Sequence, residues 1–128
     1  MNLLLDTHLL LWAADLTGKL PAAARQLLED SGNTLFFSPI SLLEIAIKAA
    51  QGRSNFQVEP RSLHRGLIGN GYVELPVTSE HTLKVLSLPP IHKDPFDRLL
   101  IAQAMVEGFL LVTSDRAVSV YPGPIRKV

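Results

Sequence analysis

The amino-acid sequence predicts an α/β fold in which a central, mostly parallel sheet lies between layers of helices. Short apolar runs recur along the chain, at Leu3-Leu4-Leu5, Thr34 to Phe37, Tyr72 to Leu75 and Phe109 to Thr113, and read as strands buried on both faces. Segments of helical composition separate them, which is the order that a parallel sheet requires. Several of these segments open with Ser-Pro or Asp-Pro and close at Gly, the start and stop signals of helices. The 128 residues fit one domain spanning 1–128.

Taken in order, Leu3-Leu4-Leu5 is a strand ending at Asp6, and Thr7 to Ala14 is a short leucine-rich helix carrying Trp12. Pro21 suits the first position of a second helix, whose alanines and leucines favour it until Ser31-Gly32-Asn33 stops it. After the Thr34–Phe37 strand, Ser38 caps a helix with Pro39 in its first turn, and Gly52 ends it. Gly52 to Glu59 reads as a loop, Pro60 to Ile68 as a helix and Tyr72 to Leu75 as the third strand. Thr78 or Ser79 caps a helix closed by Pro89-Pro90. Asp94-Pro95 opens another helix, over Phe96 to Glu107, and Phe109 to Thr113 is the fourth strand. Ile125 to Val128 is suited to a short edge strand.

Composition narrows the chemistry. Hydrophobic residues make up 47% of the chain, which supplies a core and argues against disorder. There is no cysteine, so any metal must be held by oxygen or imidazole. Twelve basic residues balance 12 acidic ones, unlike the excess of positive charge usual in a non-specific nucleic-acid binder. No run approaches the roughly 20 apolar residues that cross a bilayer, and the N-terminus lacks the basic region of a signal peptide. The expectation is a soluble, cytoplasmic protein that does not bind membranes.

Ligands of parallel α/β folds bind beyond the carboxyl ends of the strands. Four acids stand where they can meet there: Asp6, Glu44, Asp97 and Asp115. Each also has an ordinary explanation. Asp6 suits an N-cap of the helix from Thr7. Glu44 has Lys48 at i+4, an ordinary helix pair that predicts an exposed glutamate, although Ile40 and Ile47 share its face. Asp97 suits a helix-dipole partner in a first turn, with Asp94 the stronger cap, and spacing alone does not decide which of the two does chemistry. Asp115 suits an Asx turn or the cap of a short helix, with Thr113 and Ser114 able to orient it or a bound water. Carboxylates that converge repel one another unless a proton or a cation joins them. Oxygen donors select Mg²⁺ or Mn²⁺, and such an ion assists phosphodiester hydrolysis.

Four segments together resemble a known family. They are Leu-Leu-Leu-Asp6-Thr7-His8-Leu-Leu-Leu-Trp12, Ser38-Pro39-Ile-Ser41-Leu-Leu-Glu44-Ile-Ala-Ile-Lys48, His92-Lys-Asp94-Pro95-Phe96-Asp97-Arg98-Leu-Leu-Ile-Ala-Gln-Ala, and Val112-Thr113-Ser114-Asp115. In order and over nearly the whole chain, they resemble the PIN domain, above all the VapC-type ribonuclease toxins of bacterial toxin–antitoxin pairs. The resemblance implies a PIN-like three-layer α/β/α sandwich and a Mg²⁺-dependent endoribonuclease, with Mn²⁺ able to substitute. It implies an acidic pocket of Asp6, Glu44, Asp97 and Asp115, with Asp6 and Asp97 as principal metal ligands. Glu44 and Asp115 would complete the pocket, bind a second metal or position water. It favours Asp97 over Asp94, and makes Thr7 and Ser114 supporting polar residues on the substrate side. It also implies a cognate antitoxin protein, an RNA substrate, and a homodimer able to pair into larger assemblies.

Arg98 and Arg116 each follow a proposed site acid. Arginine suits phosphate recognition, and a surface ion pair explains them equally well. His8 reads as packing or surface, His64 and His81 as solvent-facing, and His92 as part of loop structure near the acids. Trp12 reads as core. No Gly-rich phosphate loop or nucleophile elbow is present. A non-catalytic RNA- or protein-binding module is the alternative, but it predicts a missing acid. A phosphoryl receiver or haloacid-type phosphatase fits worse, because Asp6-Thr7-His8 lacks their paired acids.

Overall fold

The computed structural model describes residues 1–14 and 18–128. Strands β1 (Asn2–Leu5), β2 (Thr34–Phe37), β3 (Val73–Glu74), β4 (Leu110–Thr113) and β5 (Ile125–Lys127) form one sheet in the order β3-β2-β1-β4-β5. Every pairing is parallel, so the expected mostly parallel sheet is parallel throughout. The α-helices among the described residues are α1 (Thr7–Ala14), α2 (Ala22–Glu29), α3 (Pro39–Ala50), α4 (Pro60–Gly69), α5 (Ser79–Lys84), α6 (Pro95–Glu107) and α7 (Arg116–Ser119). None is long and apolar enough to cross a membrane.

The leucine run of β1 explains the layering. Side chains of a strand alternate between faces. Leu3 and Leu5 enter a core built with α1, α2, α4 and Ile45 of α3. Leu4 enters the opposite core, with Leu100 and Ile101 of α6, Val118 of α7 and Tyr121. All three leucines are fully buried, each contributing roughly 1.5–3 kcal/mol. A central strand of a parallel sheet has no solvent face, hence the unbroken apolar sequence.

The caps follow their local chemistry. Ser38 Oγ accepts from the Ile40 N–H ahead of Pro39, and Asp94 Oδ1 accepts from the Phe96 and Asp97 N–H groups around Pro95. Gly108 ends α6 at φ 71°, a left-handed position that a side chain would strain. Three local expectations need correction. The loop after Gly52 contains a 3-10 turn at Ser54–Phe56 that buries Phe56. The helix expected to run on to Pro89-Pro90 tightens after Lys84 into a 3-10 turn at Val85–Ser87. His81 is buried, not solvent-facing: its Nδ1 accepts from the Thr78 N–H in a capping box, and its Nε2 lies 2.8 Å from Glu107.

The chain winds from β1 outward to β2 and β3, then returns to β4 on the other side of β1. The order therefore reverses between β1 and β4. A crevice opens beyond the carboxyl ends at such a point, and ligands bind there in folds of this kind.

Candidate active site

Asp6 directly follows β1 at this switch point, and Asp115 lies two residues past β4. The Asp6 side chain is held from both sides. The Leu9 N–H donates to Oδ1 at 2.9 Å and the Thr113 hydroxyl donates to Oδ2 at 2.5 Å, so one group caps α1 and also ties β1 to β4. Only 4% of Asp6 is exposed. Burial raises its pKa above the usual carboxylate range, outweighing the hydrogen bonds from Thr113 and Leu9. Thr113 Oγ1 also accepts from the Asp115 N–H at 3.0 Å, and Asp115 Oδ1 accepts from the Ala117 N–H at 2.8 Å to cap α7. Thr113 therefore bridges the two acids.

Glu44 enters from the second turn of α3 and is 2% exposed. The Thr7 hydroxyl donates to Oε1 at 2.6 Å while lying 3.0 Å from Ser41 Oγ, and Lys48 Nζ meets Oε2 at 2.5 Å. The i+4 lysine pair is present, but it does not make Glu44 an exposed surface glutamate. The lysine is itself only 14% exposed and lies 4.9 Å from the Phe56 ring centroid.

Asp97 stands in the first turn of α6, with its side chain 17% exposed. Its pKa rises to about 6, first through burial and then through the negative fields of Asp94, Glu44 and Asp115, against a hydrogen bond from His92. The charges of Glu44 on α3 and of Asp115 past β4 are thus felt at Asp97. Asp94 uses Oδ1 on backbone N–H groups, whereas Asp97 caps nothing.

No three carboxylate or imidazole groups among the described residues stand close enough to enclose an ion as they lie. The donor set nevertheless suits a hard cation. Mg²⁺ keeps several waters and needs only one or two carboxylates. A cation would also offset the negative fields of Asp94, Glu44 and Asp115, which add to burial in raising Asp97.

The other expected site residues divide. Ser114 lines a cavity of about 430 Å³ next to Asp115, whose other walls include His8, Trp12, Asn55 and Gln57. Arg116 is exposed at the start of α7. Thr7 is buried and its hydroxyl is taken by Glu44, so it positions that acid and is not open to substrate. Arg98 also needs correction. Its guanidinium donates to the Pro89 carbonyl and the Tyr121 hydroxyl, both at 2.8 Å, with the Val85, Leu88 and His92 carbonyls within 3.5 Å. It braces the loop before α6 and is not turned out as a phosphate hook. Sequence reasoning missed Tyr121, whose hydroxyl meets His92 from 29 residues away. No local signal marks that contact.

A parallel α/β protein with Asp6 and Asp115 just past the carboxyl ends of the adjacent strands β1 and β4 is the class that these observations define. The sequence profile of the PIN domain matches residues 3–123, and the chain belongs to the PIN domain family. Among curated protein sequences, none matches it. Solved structures share the fold. VapBC2 from Rickettsia felis, bound to a DNA fragment from their promoter, superposes with a TM-score of 0.73 at 19% identity, spanning 100% of this chain and 99% of that one. DNA-bound VapBC from Salmonella typhimurium gives 0.67 at 17% identity, over 99% and 98% of the two chains. VapBC-1 from nontypeable Haemophilus influenzae gives 0.63 at 16% identity, over the same shares.

Proposed function

We propose that the chain is a VapC-type toxin, a Mg²⁺-dependent endoribonuclease that acts in the cytoplasm and is restrained by an antitoxin protein. The observation that carries this reading is a PIN-family sheet with Asp6 and Asp115 at its switch point and with Asp97 raised to about 6 by burial and then by the fields of Asp94, Glu44 and Asp115. Fold likeness to VapBC complexes supports an antitoxin partner. So does a groove of about 570 Å³ between α1, α2 and α4, lined by Ala13, Leu28, Leu63 and Leu67 together with Ser62 and Asn70, which suits an amphipathic peptide segment. The homodimer is part of the same proposal.

Asp6 and Asp97 would hold the ion, and Glu44 and Asp115 would orient the attacking water. A bound Mg²⁺ supplies charge stabilisation at a phosphoryl oxygen and lowers the pKa of water. Water oxygen bonds to phosphorus, one ester P–O bond breaks, and the leaving oxygen takes a proton. Thr113 holds Asp6 in place, and Thr7 with Lys48 holds Glu44. The cavity beside Asp115 offers the Trp12 and His8 rings to bases of a single strand, where stacking is sequence-tolerant. Arg116, exposed at the start of α7 next to Asp115, would meet phosphate.

The non-catalytic alternative draws on one observation: both Glu44 oxygens are already engaged. The deciding experiment is cleavage of a mixed single-stranded and structured RNA pool by antitoxin-free wild type and Asp6→Asn, with Mg²⁺, Mn²⁺ or chelator. Metal-dependent cutting lost in the variant supports the nuclease. Tight RNA or protein binding without cutting supports the alternative.

A further inference from the structure

The loop before α6 carries a hydrogen-bond chain that the acids alone do not explain. Four groups surround or meet one phenol oxygen. Arg98 Nη1 donates to Tyr121 Oη at 2.8 Å, and the His92 backbone N–H donates to it at 3.2 Å. His92 Nδ1 lies 2.7 Å away and the His92 carbonyl 3.3 Å. A phenol oxygen has two acceptor positions and one hydrogen. Both acceptor positions are filled by groups that can only donate. The hydrogen therefore goes to the nearer acceptor, His92 Nδ1. A neutral imidazole that accepts at Nδ1 carries its proton on Nε2. Nε2 lies 3.0 Å from Asp97 Oδ2, so it donates there.

We propose that Arg98, Tyr121 and His92 are positioning residues for Asp97: Arg98 turns the Tyr121 hydroxyl, Tyr121 sets the His92 tautomer, and His92 Nε2–H holds Oδ2. No described residue donates to the other oxygen, Oδ1, which is left to an incoming ligand. The functional half of this rests on reading Asp97 as a metal ligand; the tautomer does not. Three features make the chain a built device. No described carboxylate pairs with Arg98, so its charge is directed at carbonyls and at this phenol. Tyr121 is buried, and its ring packs 5.2 Å from the imidazole in an edge-on arrangement. The links come from α6, the segment after α7 and the loop at His92, so the whole far side of the sheet must be folded for Asp97 to be held.

Proton-detected ¹⁵N spectra of histidine-labelled full-length protein, metal-free and near neutral pH, test the tautomer. In wild type, His92 should carry its proton on Nε2. The same state should persist in Asp97→Ala, where no carboxylate remains to draw it, and give way to mixed tautomers when Tyr121→Phe is added. A proton on Nδ1 in wild type, or loss of the preference in Asp97→Ala alone, overturns the assignment of Tyr121. Calorimetric titration with Mn²⁺ tests the consequence. Folded Tyr121→Phe should bind about 10- to 100-fold more weakly, the range for residues that orient a metal ligand. His92→Gln, which keeps an N–H near the Nε2 position, should retain more affinity than His92→Ala. Unchanged Mn²⁺ affinity in folded Tyr121→Phe would overturn the positioning role. If wild type binds Mn²⁺ and shows the tautomer yet cuts no RNA, the relay stands and the nuclease reading falls.

Discussion

Glu44 on α3 lies near enough to Asp97 on α6 for its charge to be felt there, and the protein treats the two charges differently. Glu44 has a cation of its own, Lys48 at 2.5 Å, and a hydroxyl donor in Thr7. Asp97 has a histidine donor, no lysine or arginine partner among the described residues, and three acids in its field. One acid is neutralised within its own helix. The other is left short of positive charge, and burial, with the fields of the neighbouring acids, lifts its pKa to about 6. Burial alone therefore does not separate the two: Glu44 is the more buried, yet Asp97 is the acid with no described lysine or arginine beside it.

Substitutions can break this contrast. The largest effect is expected at Asp97→Asn, which should lower metal-dependent RNA cleavage by more than the roughly 100-fold produced by supporting residues. Glu44→Gln should lose less, because its oxygens already serve Thr7 and Lys48; equal losses in kcat/KM would erase the distinction. Next comes Lys48→Met. It leaves a buried carboxylate unpaired and should destabilise the fold by about 3 kcal/mol, roughly 10 °C in Tm. Pairing it with Glu44→Gln should restore most of that, and thermal melts of the double-mutant cycle measure the coupling.

The pH dependence of stability sharpens the comparison further. Asp97 holds its proton up to about pH 6 when folded, against 3.8 ordinarily. The folded chain then binds more protons than the unfolded one, so this contribution is full below pH 3.8 and is lost as pH rises towards 6. Asp6 is raised too and acts in the same direction. Metal-free wild type should melt lower at pH 6.5 than at pH 4.5, and Asp97→Asn should flatten part of that slope. Identical slopes would assign the titration elsewhere. The smallest effect is expected at Asp94→Asn. Asparagine caps a helix as well as aspartate does, so stability should move by a few tenths of a kcal/mol. Cleavage should largely survive, in contrast to Asp97→Asn.

Much of the fold was readable in the sequence. Unbroken apolar runs, Ser38-Pro39, Asp94-Pro95 and Gly108 act through the backbone within a few residues, so the strands and the ends of α3 and α6 could be placed to within a residue or two. The 3-10 turns at Ser54–Phe56 and Val85–Ser87 were not readable, because burial of Phe56 and the packing around α6 depend on elements far along the chain. His81 misled for the same reason. Its partners are a local cap and Glu107, which lies 26 residues away.

The acids divide along the same line. Their positions after β1, within α3 and α6, and past β4 are matters of local sequence, and so is membership of the PIN family, which rests on motifs in order. Which oxygens are free and which are taken was decided by the tertiary structure. Thr113 reaches Asp6 across 107 residues, Thr7 reaches Glu44 across 37, and Arg98 turns inward to a tyrosine 23 residues on. A side chain's charge and hydrogen-bonding groups are properties of the residue. Its unsatisfied share depends on what the fold brings within 3 Å, and that is set only when the sheet closes and its two faces are covered.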